Sequence, residues 1–324
     1  MSGQSVSTIM GLLSSLLFII LIILCSPRPS SGFKICAFNI QSFGDSKSSK
    51  ENVMNILVRI VSRCDVCLLQ EVRDTKSKVI NSLLLALNRF DRNYQYDYVA
   101  SARLGRTPTY QEQYVFVYRK GSVTVKDQYQ YPDTQKGDED AFAREPFVIR
   151  LRAPHTVIRE FVLIPQHTTP TNATKEIDEL YDVFLDVKMK WGVEDIMFLG
   201  DFNAGCGYLP KKNKKKIRLM TEPRFYWLID DKVDTTVRDT TTCAYDRIVV
   251  HGENFLNAVV DKSAQAFNFA TTFYLSQDQA LEVSDHYPVE VTLKLRASSA
   301  QTEACWILLV TAATFVLANL GWSY

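Results

Sequence analysis

The last strongly patterned stretch of this chain alternates. Tyr287, Val289, Val291, Leu293 and Leu295 are apolar, and Pro288, Glu290, Thr292 and Lys294 separate them. A period of two marks a half-buried strand. Ser284-Asp285-His286 leads into it, so a carboxylate and an imidazole hang at the rim of a rigid element. Such a base holds them to a narrow range of positions, as acid/base chemistry requires. A lone Asp-His pair is more often a turn cap beside a surface histidine, so the rest of the chain decides.

Nearer the start the pattern reads strand, helix, strand, helix. Phe33 to Ile40 is an apolar strand that ends on a polar Asn39. Ser48-Ser49-Lys50-Glu51 fits a capping box. Val53, Ile56, Leu57, Ile60 and Val61 follow at helical spacing. Asp65 to Glu71 is an apolar run closing on a carboxylate, and Val79, Ile80, Leu83, Leu84 and Leu87 mark a second helix. This is an α/β unit, in which ligands sit at strand ends. The middle holds strands at 114–118, 147–151 and 160–164. A helix carries Ile177, Leu180, Tyr181, Phe184 and Val187 inward. A strand at 195–199 ends in Gly200-Asp201-Phe202-Asn203, and Asp246 opens another. The acidic stretch 133–140 reads as a mobile loop.

Both ends of the chain are apolar. Met10 to Cys25 followed by Ser26-Pro27-Arg28-Pro29 reads as a signal peptide, residues 1–32, cleaved before Phe33; a signal anchor is the alternative. Cys305 to Leu320 lacks a basic flank. Small residues and a short polar spacer precede it, which suggests a glycosylphosphatidylinositol signal over 298–324, with a short transmembrane anchor as the alternative. Residues 33–297 then read as one domain, expected in the secretory pathway, extracellular or on a cell-surface or endolysosomal membrane.

Composition changes this little. The chain is 46% hydrophobic and 23% charged, with a formal net charge of +1. Any preference for nucleic acid or membrane must therefore be local. Of seven cysteines, Cys25 and Cys305 fall in the end segments, leaving five, so at least one thiol is free. Cys36, Cys64 and Cys67 lie in or beside apolar runs and read as small buried hydrophobes. Cys206 and Cys243 sit in polar, turn-rich stretches that suit a disulfide. No cysteine/histidine spacing makes a zinc site.

The chemistry gathers at strand ends: Asn39, Glu71, His167, Asp201 with Asn203, Asp246, and Asp285 with His286. One such position is usually a turn residue; this many in one chain is not. Oxygen ligands from Asp, Glu and Asn suit a hard cation, Mg²⁺ or Ca²⁺. Two histidines beside it suit a general acid and a general base. Together these are the parts for hydrolysing a phosphate ester.

Gly200-Asp201-Phe202-Asn203 and Ser284-Asp285-His286-Tyr287-Pro288, with Gln70-Glu71 and Phe38-Asn39-Ile40, resemble the endonuclease/exonuclease/phosphatase superfamily. Leu69 to Asp74, Ala143-Arg144-Glu145-Pro146, Tyr181 to Val187, Cys243 to Val250 and Ser284 to Leu293 are similar to the deoxyribonuclease I family. His167-Thr168-Thr169-Pro170 and Thr221-Glu222-Pro223 look more like its deoxyribonuclease-I-like 1 branch. The resemblance implies an α/β (α+β) fold, a four-layered sandwich of two packed mixed β-sheets flanked by helices. It implies hydrolysis of double-stranded DNA to 5′-phosphate ends, with Mg²⁺ and Ca²⁺ as cofactors. Position by position, it implies His167 and His286 as the acid/base pair, Glu112 orienting His167, and Asp246 and Asp285 beside His286. Glu71, Asn39, Asp201 and Asn203 would surround the cation and phosphate. Arg73, Tyr110, Arg144 and Tyr245 would contact DNA, and Cys206–Cys243 matches the main disulfide of the family.

The departures are informative. The second, small disulfide of the family would lie near 133–140, where no cysteine stands, so that loop should be looser. In the region corresponding to the family's actin contact, Tyr98 to Ala102, Ala100 is small, and Phe147 is bulky where a small residue is expected, so tight actin inhibition is not expected. Lys211 to Lys216 is the one strong basic cluster and reads either as a phosphate clamp flanking the cut or as a solvated loop. Asn172-Ala173-Thr174 is a glycosylation sequon. The membrane is a partner through the C-terminal anchor. Two other readings compete: a phosphoesterase acting on phospholipid or inositol phosphate, and a non-enzymatic binding protein on the same scaffold.

Overall fold

The computed structural model describes residues 32–296. The proposed signal peptide and anchoring segment lie outside the described residues. In chain order the elements are β1 Phe33–Phe43, α1 Asp45–Ser48, α2 Glu51–Val61, β2 Val66–Val72, α3 Lys78–Phe90, β3 Gln95–Ala100, β4 Leu104–Thr107, β5 Tyr110–Lys120, β6 Thr124–Gln130, β7 Phe147–Arg152 and β8 Glu160–Pro165. A 3₁₀ turn, Pro170–Asn172, leads into α4 Ala173–Trp191. Then come β9 Ile196–Asp201, α5 Lys211–Lys214, α6 Arg218–Thr221, β10 Phe225–Trp227, β11 Asp246–His251, α7 Glu253–Ala258, β12 Gln265–Ala266, α8 Phe269–Thr272, α9 Gln277–Val283 and β13 Val289–Leu293.

Two mixed sheets result. One runs β12-β13-β1-β2-β5-β3, with β4 also on β5; the other runs β10-β11-β9-β8-β7-β6. β1 is parallel to β2 and β8 to β9, and the other neighbours are antiparallel. Strand alternation then sorts side chains into two destinations. Cys36, Phe38 and Ile40 of β1 join Cys67 and Leu69 of β2 in a core shared with Leu57, Ile60 and Leu83 of the helices. Ile196 and Phe198 of β9 join Val249 in a second core with Ile177, Leu180 and Val183 of α4. The alternate positions, Ile35, Ala37, Leu68, Met197, Leu199, Ile248 and Val250, are also buried. They line the space between the sheets, which Phe33 and Phe161 help to fill with an edge-to-face contact at 6.2 Å. The layers are therefore helices, sheet, sheet, helices, as the family resemblance implied.

Two local expectations need correction. Cys36 and Cys64 are not simple buried hydrophobes: they form a disulfide beside the expected Cys206–Cys243, and Cys67 is the free, buried thiol among the described cysteines. The β1–α2–β2 crossover brings the start of β1 next to the turn before β2, where Asp65 N donates to Lys34 O at 2.8 Å. The capping box at Ser48 does not form. Ser48 ends α1, and Lys50 caps α2 without a side-chain bond; Ser276 and Gln279 form the box instead, at α9. The acidic loop has no regular secondary structure, and three contacts tie it to its surroundings. Asp133 accepts from Phe142 N at 2.9 Å, Arg106 grips Asp140, and Lys175 pairs with Asp138.

The disulfide carries a measurable consequence. Cys36 and Cys64 are 28 residues apart, a loop whose closure stabilises the fold by about 3–4 kcal/mol on the chain-entropy account. Cys36→Ala with Cys64→Ala is expected to lower unfolding free energy by that order in urea melts. It should leave the catalytic rate near wild type, because neither sulfur faces the site.

Candidate active site

The space between the sheets opens at one edge, and the site is where its apolar rows end. Asn39 follows Ile35 and Ala37 on β1, Gln70 follows Val66 and Leu68 on β2, and Asp201 follows Met197 and Leu199 on β9. Asp246 precedes Ile248 and Val250 on β11, and Glu112 precedes Tyr114 and Phe116 on β5. His167 continues the row of Phe161 and Leu163 just beyond β8. Each polar side chain takes the next position on the face between the sheets. Asp246 and Asp201 are direct register partners.

Gln70 joins the two sheets beneath the site. Its Nε2 donates to Gln166 O at 2.7 Å and its Oε1 accepts from Asp201 N at 2.9 Å. Gly200 makes this possible. Its φ is +130°, and a Cβ there would meet Gln166 O at 2.4 Å and Gln70 Nε2 at 2.7 Å.

Asp201 Oδ2 is the centre of the arrangement. Asn39 Nδ2 donates to it at 3.2 Å, His167 Nε2 lies 3.5 Å away and His286 Nε2 lies 3.6 Å away. Its other oxygen accepts from Asn203 N at 3.0 Å, while Asn203 Nδ2 donates to Thr168 O at 3.1 Å. Each histidine is backed by a second carboxylate. Glu112 Oε1 is 2.5 Å from His167 Nδ1, and Asp246 Oδ2 is 2.8 Å from His286 Nδ1. This orientation leaves both Nε2 atoms facing the same carboxylate oxygen. Burial alone would lower the pKa of both imidazoles. For His167, Glu112 and Asp201 together outweigh burial and raise it. For His286, Asp246 and Asp201 raise it well above the ordinary value. Asp201 is depressed, the two histidines overcoming the cost of its burial, and Glu112 is depressed by His167 and Arg144 against the same cost.

Glu71 stands at the solvent side. Its φ of 58° lies in the left-handed region, rare for a residue with a Cβ. Ser42 N donates to its Oε2 at 2.9 Å and Asn39 Nδ2 to its Oε1 at 3.2 Å. Gln41 and Ser42 are also at positive φ. Lys47 clasps that turn: its Nζ donates to Ile40 O at 2.8 Å, Gln41 O at 2.5 Å and Val283 O at 2.8 Å. Burial pushes the Lys47 ammonium down to about 8, with Asp285 and Glu71 acting in the opposite direction. Ser284 Oγ donates to Asn39 O at 2.6 Å, so the Asn39 and His286 segments are tied twice.

The donor set fits a hard divalent cation. Glu71, Asp201 and Asp246 supply carboxylate oxygens, and Asp246 Oδ1 is buried without a hydrogen-bond partner. Asp201, Asp246 and His286 also lie close enough together to ligate an ion. His286 is the weakest of the three as a ligand, because Asp246 Oδ2 already holds its Nδ1 at 2.8 Å and its neighbouring carboxylates favour the charged ring over the neutral form a metal needs. Asn39 Oδ1 accepts from Gln41 N at 2.9 Å, which fixes the amide with its Nδ2 toward Glu71 and Asp201.

The chain matches the Endonuclease/Exonuclease/phosphatase family over residues 36–286. It is 48% identical over 286 residues to Deoxyribonuclease gamma of Homo sapiens, covering 88% of this chain and 93% of that protein. It is 50% identical over 262 residues to Deoxyribonuclease-1 of Rattus norvegicus, covering 81% and 91%. The chain belongs to the deoxyribonuclease I family. Identity to Deoxyribonuclease-1-like 1 of Chlorocebus aethiops is also 48%, over 298 residues, covering 92% of this chain and 95% of that protein. The 1-like 1 branch suggested by the motifs and the gamma branch are therefore about equally close.

The remaining residues singled out by the family resemblance take two kinds of position. Arg73 and Tyr110 are on the rim, the guanidinium 4.1 Å from the ring centroid and 3.5 Å from Glu71. Tyr245 is half-buried, its ring 6.3 Å from that of His286. Asp285 is partly exposed and 4.0 Å from His286 Nε2. Arg144 is buried instead: its Nε donates to His167 O at 2.9 Å and lies 3.5 Å from Glu112. Tyr114 continues this support, its hydroxyl accepting from His167 N at 2.9 Å and donating to Arg144 O at 3.2 Å. Asn172 ends the 3₁₀ turn after His167, half-buried and outside the carboxylate cluster.

Sequence reasoning did not pick out Gln70, Tyr114, Ser284 or Lys47 as site residues. Strand parity was the available signal for Gln70 and Tyr114, which share the inter-sheet rows of Leu68 and Phe116. Nothing local marks Lys47, whose acceptors are backbone carbonyls brought together by the fold.

Proposed function

We propose that the chain is a deoxyribonuclease I-type endonuclease that hydrolyses double-stranded DNA to 5′-phosphate ends with the help of Mg²⁺ and Ca²⁺. The observation that carries this is the pair of histidines. Each is oriented by its own carboxylate, and both present Nε2 to one side of Asp201. A phosphodiester lying over Asp201 would meet both. One histidine takes a proton from water as the new P–O bond forms, and the other gives a proton to O3′ as the old bond breaks. Exchange with solvent resets the pair. Glu71 and the neighbouring Asp201 would hold the cation, which when bound offsets the negative charge that grows on the phosphate. Asn39 and Asn203 donate toward the same region. Arg73 and Tyr110 form the groove-side contact, and Tyr245 flanks His286.

The family supplies the DNA reading, and the stacked Arg73–Tyr110 pair supports it over action on phospholipid or inositol phosphate. Phosphate contacts dominate such binding, so sequence preference is weak and activity falls with salt. The cysteine pairs and the sequence of residues 1–32 support a secretory-pathway location, with the 298–324 segment as a membrane anchor. The direct test is cation-dependent nicking of plasmid DNA that yields 5′-phosphate ends.

A further inference from the structure

The lysine-rich turn after the Asp201–Asn203 segment is not used by the chemistry above, although it is fixed to the same place. The Cys206–Cys243 disulfide ties its loop to the segment that opens β11. Tyr208 packs on Tyr245 with ring centroids 5.3 Å apart, and Tyr245 is the neighbour of His286. Leu209 and Ile217 are buried and pin the two ends of the turn. Asn213 Nδ2 donates to Thr174 Oγ1 at 3.1 Å in its middle. Chain reach places Lys211 within about 11 Å of Tyr208. The lysine turn is thereby tethered to the segment that carries Tyr245, the neighbour of His286.

Their charge is also free. Lys214 pairs with Asp231. Lys211, Lys212, Lys215 and Lys216 are exposed and make no ion pair among the described residues. The acids of neighbouring α4 are occupied elsewhere, since Arg218 holds Asp178 at 2.9 Å and Asp182 at 2.7 Å. Four uncompensated cations thus sit together on a chain whose formal net charge is only +1.

We infer that Lys211, Lys212, Lys215 and Lys216 are an auxiliary contact for the phosphate backbone of duplex DNA beyond the segment held at the catalytic cleft. The inference rests on the endonuclease reading and deepens it. Duplex DNA presents one negative charge per about 1.7 Å of axis, so a row of lysines beside the cleft meets phosphates wherever the enzyme lands. Such contacts position without reading sequence. They act on KM and on salt dependence, and leave the chemical step alone.

The test compares the full-length protein with a Lys211→Gln, Lys212→Gln, Lys215→Gln, Lys216→Gln variant on plasmid and on a duplex of about eight base pairs, about 27 Å long, which offers the turn far fewer phosphates. On plasmid near 0.15 M salt the variant is expected to show KM raised about 10–100-fold with kcat unchanged. The slope of log(kcat/KM) against log[salt] should become shallower by about 2–4. On the short duplex the difference between the two proteins should shrink. Equal KM and equal salt slope on plasmid would overturn the inference while leaving the endonuclease reading intact. A wild type that cleaves neither DNA would remove that reading and the inference with it. Loss of binding to anionic phospholipid vesicles with an unchanged plasmid slope would likewise overturn it, assigning the lysines to a membrane surface.

Discussion

His167→Ala is expected to leave a folded protein whose plasmid cleavage falls by about 10³–10⁴-fold. The ring is almost fully buried and held on both sides. Glu112 takes Nδ1 at 2.5 Å, and Nε2 faces Asp201 at 3.5 Å. Removing it leaves Glu112 with Arg144 still 3.5 Å away, so the buried carboxylate keeps a cationic neighbour and the fold survives. Glu112→Gln tests the orienting role separately. It keeps a hydrogen-bond acceptor and removes the charge that raises the imidazole, and a fall of about 10–100-fold is expected. Because Glu112 acts through His167, the double variant should be no slower than His167→Ala alone. Initial rates of supercoil loss, beside melting curves for each variant, check this. Additive losses would show that Glu112 has a role of its own.

Glu71→Ala should act on the cation instead of the proton. Glu71 is the most solvent-facing of the three carboxylates, and backbone at positive φ with Ser42 N and Asn39 Nδ2 sets its position. A hard cation depends on such oxygens. The Mg²⁺ concentration for half-maximal cleavage is expected to rise by at least about 100-fold. Mg²⁺ without DNA is expected to raise the Tm of the wild type and to leave that of the variant unchanged, since a ligand that binds only the folded state stabilises it as its occupancy rises. Thermal melts in a Mg²⁺ series and calorimetric titration read this without reference to activity. An unchanged Mg²⁺ response would move the cation to Asp201 and Asp246 alone.

Much of this site was legible because its parts sit at strand ends, where apolar alternation stops on a polar residue. Asn39, Glu71, Asp201 and Asp246 all read that way, and the structure gathers them with both histidines. Glu112 came only from the family resemblance: it lies ahead of the apolar part of β5, in a stretch too polar to look like strand. β3, β4 and β6 were missed for a related reason. They pair at the sheet margins with largely exposed or half-buried side chains, so they carry little alternation. The Cys36–Cys64 bridge was hidden because both cysteines stand in or beside apolar runs, and only the parallel crossover from β1 to β2 brings them together. Arg144 came from its motif as a phosphate contact, and the fold adds a support that the motif did not show, with Nε on the carbonyl of His167. Lys47 and Gln70 act through backbone groups of distant segments, which no local pattern encodes.

The central claim is that two carboxylate-backed histidines and a cation hydrolyse DNA at Asp201. The most direct measurement is plasmid cleavage by the purified protein with Mg²⁺ and Ca²⁺, with and without chelator, followed by ligation of the products. The account predicts metal-dependent nicks that ligase reseals, the mark of 5′-phosphate beside 3′-hydroxyl. A well-folded protein that leaves plasmid intact with both cations present, while releasing phosphate or headgroup from inositol phosphates or phospholipid, would contradict it.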